Sequence, residues 1–186
     1  MIIANLRKEF RKLSSQELLD KVHELGLNYE KYSGSCSQSV VAAIHEMVEM
    51  DDVAVRVASS SCGGQFAQVV GTCGALIGGT IALDYFWGRP ANEMSRQVEK
   101  TGNLELHIDA MTVATPLFYK FVDKYGSILC PHIQMRIFGR LYYLSDEDEM
   151  EKFEKVGGHE DKCGNVVGNS ARWTMETLLD KGAVRI

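Results

Sequence analysis

Apolar residues recur at three- and four-residue spacing through most of the chain, the period of helices with one face in a core. Ser14-Ser15-Gln16-Glu17 reads as a capping box and predicts a first helix that Gly26 stops. Ser35-Cys36-Ser37-Gln38 is a second such box, opening a helix to about Met50 with the stripe Cys36, Val40, Ala43, Ile44 and Met47. A short helix over 52–58 and a loop over 59–65 follow. A glycine-rich helical region comes next, in which Gly71-Thr72 precedes Cys73 and helical character runs to Trp87. Asn92 begins a long helical stretch, broken near Thr101-Gly102-Asn103 and at Pro116 and ended by Gly126. Cys130-Pro131 opens another helix, because proline suits the first helical position. An acidic helix starts at Ser145-Asp146-Glu147-Asp148 and ends at Gly157-Gly158; Asp161 then caps a last helix over 162–181, stopped by Gly182. No alternating strand pattern exceeds a few residues. The expected fold is all-α: a compact, bundle-like domain over 31–186 around a glycine-rich central helix, with residues 1–30 as an N-terminal helical extension.

Composition narrows the function. With 45% hydrophobic and 24% charged residues the chain can bury a sizeable core. Twenty Lys and Arg against 25 Asp and Glu leave no basic excess to neutralise phosphates, so a nucleic-acid partner is not expected. The uncharged stretch over 57–83 is long enough to span a bilayer, yet it carries serines, glutamines, threonines and six glycines and lacks a close basic flank. It reads as a buried helix region, not a membrane span. Arg7 and Lys8 stand where a signal peptide would place its apolar run, so a cytoplasmic protein is expected.

Five cysteines stand at 36, 62, 73, 130 and 163 with no C-x-x-C among them, which weighs against a zinc ribbon and thioredoxin-like exchange. Four of them, Cys36, Cys73, Cys130 and Cys163, fall at a cap or in the first turn of different predicted helices. There the helix dipole and unpaired N–H groups are expected to lower a thiol's pKa. Each also begins an apolar stripe, so the four could converge in a poorly hydrated pocket suited to a metal or iron–sulfur cluster, or each could be a small core residue. Gly74, Gly78 and Ala82 form a bare stripe along one helix, fit for the close approach of a neighbouring helix or of a cofactor. His132 and His159 follow and precede cysteines closely enough to reach such a site, and otherwise read as loop or surface histidines. His45-Glu46 lacks the second histidine of a zincin helix, and no phosphate loop, dinucleotide fingerprint or nucleophile elbow occurs.

Lone Cys36, then Cys73-Gly74-Ala75-Leu76-Ile77-Gly78, then Gly126-Ser127-Ile128-Leu129-Cys130 and finally Cys163 together resemble the C-GCAxxG-C-C family of redox-active proteins. A related domain occurs in split-Soret cytochromes, which carry an iron–sulfur cluster as well as haem. The resemblance implies a helical redox domain over about 30–180. It also implies a cluster held by Cys36, Cys73, Cys130 and Cys163, with Gly74 and Gly78 at the cofactor, and an electron-transfer role with an unidentified redox partner protein. Haem is not expected, since no C-x-x-C-H occurs. Cys62 falls where the family more often has an aromatic; an extra ligand and a resolving thiol stay open for it, and a passive substitution is the favoured reading. Two rival readings stay open: thiol–disulfide or peroxide chemistry by a low-pKa cysteine, and a structural zinc module. A homodimer could form through the glycine-rich helix.

Overall fold

The computed structural model describes residues 1–95 and 102–185. Among them are eight α-helices: α1 (Ser15–Ser33), α2 (Cys36–Met47), α3 (Val53–Val57), α4 (Gly74–Trp87), α5 (Leu104–Tyr125), α6 (Cys130–Phe138), α7 (Glu147–Lys155) and α8 (Cys163–Asp180). The all-α expectation holds. The one sheet is a two-residue parallel pair, β1 (Ala4–Asn5) with β2 (Val184–Arg185), which ties the two ends of the chain together. Helix α4 lies at the centre, packed on α2, α5 and α8, while α1 packs most extensively on α8 and next on α2.

Several helix boundaries differ from the sequence reading for identifiable reasons. The Ser14 capping box forms as expected, but α1 runs through Gly26 to a left-handed stop at Gly34. Gly26 serves packing instead: a Cβ there would stand 3.2 Å from Ala171 Cβ and 3.3 Å from Gly168 Cα of α8. The proposed division at residue 30 falls within this helix. The second capping box does not close. Ser35 makes no cap hydrogen bond, and the Gln38 amide donates to the Val55 carbonyl and to Ser59 Oγ.

Helix α5 is unbroken at Pro116. Val113, Leu117 and Phe121 are buried on either side of it, and that packing outweighs the lost backbone hydrogen bond. Of the stretch expected from Asn92, the described residues hold a 3₁₀ turn over Ala91–Glu93 and α5; 96–101 lie outside the described residues. Asp161 does not cap α8, which follows a π turn over Gly158–Lys162. The loop before α4 is longer than expected, extending to Thr72, and it holds Gln65, Phe66, Ala67 and Val69 in the left-handed region.

The glycines of α4 set how close its neighbours come. A Cβ on Gly78 would overlap the Ser37 carbonyl oxygen of α2, and one on Gly79 would lie 2.6 Å from Leu117 of α5 and 2.8 Å from Thr174 of α8. Ser170 Oγ donates to the Ala75 carbonyl at 2.7 Å across the α4–α8 contact. Helix propensity alone would favour Gly78→Ala by about 1 kcal/mol. The steric overlap with backbone reverses the sign, so the substitution should destabilise by about 1–3 kcal/mol, read as a lower denaturation midpoint at unchanged slope.

Candidate functional site: a cavity lined by five cysteines

The helix starts anticipated from the sequence are where the thiols sit. Cys36, Cys130 and Cys163 are the first residues of α2, α6 and α8, and Cys73 is the N-cap of α4. An antiparallel bridge between Thr72 and Leu129 holds two of these starts side by side. The Cys73 amide donates to the Ile128 carbonyl at 2.8 Å and the Cys130 amide to the Gly71 carbonyl at 2.9 Å. The Gly63 amide of the long loop donates to Cys36 Sγ at 3.4 Å. Gly74 completes the approach, since a Cβ there would overlap that same sulfur and stand 2.7 Å from the Ser61 carbonyl oxygen.

All four cysteines line one cavity, together with Gly74. Its remaining wall is largely apolar: Ile133 of α6, Met150 and Phe153 of α7, Val166 and Val167 of α8. Gly78 lies off the cavity, one turn further along α4. Cys62 does line it, from the same loop that donates to Cys36. His132 is exposed and paired with Ser127 Oγ at 3.1 Å, whereas His159 lies on the cavity wall. Among the described residues no three His, Cys, Asp or Glu side chains converge closely enough to hold a single metal ion.

The expected lowering of thiol pKa is reversed. Burial pushes Cys73 up to about 11, although the Ala75 and Leu76 amides pull it down. Burial likewise raises Cys130 to about 12, against the opposing Gln134 amide. Cys36 and Cys163 are driven well above the ordinary thiol value by burial first, then by the Glu30 carboxylate. A helix dipole contributes a fraction of what removal from water costs an anion, so burial wins. In the absence of a metal these thiols are protonated, the opposite of an activated nucleophile.

Two polar residues in the wall escaped the sequence reading. Glu30 of α1 is 2% exposed. Its carboxylate accepts from Ser39 Oγ at 3.1 Å, and its second oxygen lies 3.9 Å from His159 Nε2. His159 Nδ1 pairs with the exposed Glu154 on its other side. Gln134 of α6 is 1% exposed and accepts the Tyr142 amide at 2.8 Å through Oε1, while its Nε2 has no hydrogen-bond partner. Ser35 Oγ, beside Cys36, is likewise buried and unpartnered. Glu30 sits in a helix whose polar spacing looks like a solvated face, and nothing in the sequence marks Gln134 beyond its place one turn after Cys130.

Eight helices among the described residues and a thiol-walled cavity define the class: an all-α, multi-cysteine protein. The chain belongs to the family described as "Putative redox-active protein (C_GCAxxG_C_C)", whose model matches residues 34–177. No curated protein and no solved structure matches the chain. The matched span begins after Glu30, so part of the cavity wall comes from a helix outside it.

Burial raises the Glu30 pKa to about 7, well above the carboxylate value of an unfolded chain. Folding is therefore unaffected by this group at low pH. It is increasingly opposed as pH rises between the two values, and the penalty is complete above about pH 7. Metal-free Glu30→Gln should match the parent protein near pH 4 and exceed it in stability at pH 8 by up to about 3 kcal/mol, read by urea denaturation at the two pH values.

Proposed function

We propose that the protein binds an iron–sulfur cluster through Cys36, Cys73, Cys130 and Cys163 and transfers electrons to or from a redox partner protein. The observation that carries this reading is the meeting of four family cysteines, each from a different helix start, in one apolar cavity. Such a cluster supplies one-electron chemistry, with a potential set by charge, hydrogen bonds to sulfur and solvent exposure.

The residues fit that group in three respects. Buried thiols that resist ionisation in an empty cavity become thiolates when bound to iron, which supplies the positive charge the cavity lacks. Backbone amides of Gly63, Ala75 and Leu76 already point at Cys36 and Cys73. The Gln134 amide nitrogen, without a hydrogen bond of ordinary length, faces Cys130 in the same cavity wall. The chain's own part is to hold four sulfurs on rigid helix starts and to keep bulk water away with Ile133, Phe153, Val166 and Val167.

Structural zinc is less well supported. A zinc ion holds its sulfurs at about 2.3 Å from one centre, and no such convergence occurs among the described residues. A cluster of several irons and sulfides spaces its ligands more widely. Thiol–disulfide chemistry by a low-pKa cysteine is opposed by the upward shift of Cys36, Cys73, Cys130 and Cys163.

Protein purified without oxygen should contain iron and acid-labile sulfide and absorb in the visible. Cys73→Ser and Cys130→Ser should each lose most of that absorbance while keeping the helical circular dichroism of the parent. Unchanged absorbance in both variants would exclude these ligands, and zinc without sulfide would replace the cluster with a structural ion.

A further inference from the structure

Gln134 is a wholly buried amide whose two ends have unequal fates. Oε1 is fixed by the Tyr142 backbone N–H at 2.8 Å, which settles the orientation of the amide, because a flipped group would set donor against donor. Nε2 is thereby aimed away from Tyr142; it is buried without a hydrogen bond of ordinary length and faces the Cys130 thiol, whose raised pKa it already opposes. Gln134 lines the cysteine cavity and stands four residues after Cys130 on α6, so the two side chains share a face of that helix. An unpaired buried N–H costs about 1–3 kcal/mol, and a protonated thiol is too weak an acceptor to offset it. A thiolate is a far stronger acceptor for the same donor.

We propose that the Gln134 amide is a built-in hydrogen-bond donor to the Cys130 sulfur in the loaded protein, acting as a positioning residue that stabilises the bound cluster and raises its reduction potential. This rests on the cluster reading above. In the empty cavity the donor has only a weak hold on the Cys130 thiol and no hydrogen bond of ordinary length, and it gains a strong acceptor in the filled one, so most of its worth appears on loading. The potential rises because a donor to sulfur favours the more negative, reduced state. Cys36 and Cys73 receive comparable donors from main-chain amides, whereas at Cys130 a side chain does the work and can be replaced without disturbing a helix start.

The test compares Gln134→Met, which removes the amide donor at similar volume, with Gln134→Leu, which removes it on a shorter, wholly apolar side chain; neither adds a charge. Each is purified without oxygen alongside the parent protein, and iron and sulfide are measured first. The midpoint potential is then read by redox titration of the visible absorbance, and iron release to a chelator is timed. Both variants should show a lower potential than the parent and release iron about tenfold faster, the equivalent of about 1.4 kcal/mol. If Gln134→Met does not fold, Gln134→Leu decides. Equal potentials and release rates at equal iron content would overturn the donor role and leave Gln134 as a support for the Tyr142 loop alone. A parent protein without iron and sulfide would overturn the cluster reading, and this inference with it.

Discussion

The architecture turns on a strip of α4 that carries no side chains. At Gly78 the backbone of α2 comes so close that a methyl group would overlap the Ser37 carbonyl, and at Gly74 the same exclusion zone is filled by the Cys36 sulfur. The α2–α4 crossing therefore fixes where Cys36 stands relative to Cys73. On the opposite face Gly79 admits Leu117 and Thr174, drawing α5 and α8 onto the same helix. Gly74, Gly78 and Gly79 are thus filled by α2, α5, α8 and the loop before α4 of the same chain.

An apolar cavity walled by thiols is electrically demanding. It holds back ionisation at Cys73 and Cys130, and it raises even the carboxyl of Glu30 to about 7. Neutral occupants suit such a place, or anions balanced by a cation among them. The polar groups in the wall divide accordingly. The main-chain amides near Cys36 and Cys73 and the side-chain amide of Gln134 offer hydrogens inward, whereas Glu30 is held back by Ser39 and faces His159 and then Glu154 at the surface. Donors thus stand by Cys36, Cys73 and Cys130, while nothing offsets the burial of Cys163.

Much of this was legible in the sequence where a local rule and the tertiary structure agree. Cys130-Pro131 opens α6 because a first-turn proline gives up no hydrogen bond, and Ser14 caps α1 through Glu17 as its spacing requires. The four helix-start cysteines belong to the same category. The reading failed where packing between distant segments overrides a local preference. Gly26 looks like a stop and is a crossing point with Gly168, and Pro116 looks like a break inside a helix that two neighbours hold straight. Glu30 and Gln134 were missed, and Cys62 was underweighted, for a related reason: membership of the cavity wall is a property of how segments from across the chain meet. The left-handed run at Gln65, Phe66 and Ala67 has no sequence signal at all, since these residues resist that conformation intrinsically.

The pairing of β1 with β2 and of α1 with α8 has a kinetic side. These contacts join segments separated by most of the chain, and closing so large a loop is entropically unfavourable until many other contacts are in place. Cys163 opens the helix that makes the most extensive of these contacts. On a growing chain Cys36, Cys73 and Cys130 emerge first and can find each other around α4, while the fourth thiol joins only as the C-terminal helix docks against α1. Completion of the cavity and completion of the fold are then one event, and a chain truncated before α8 loses both together.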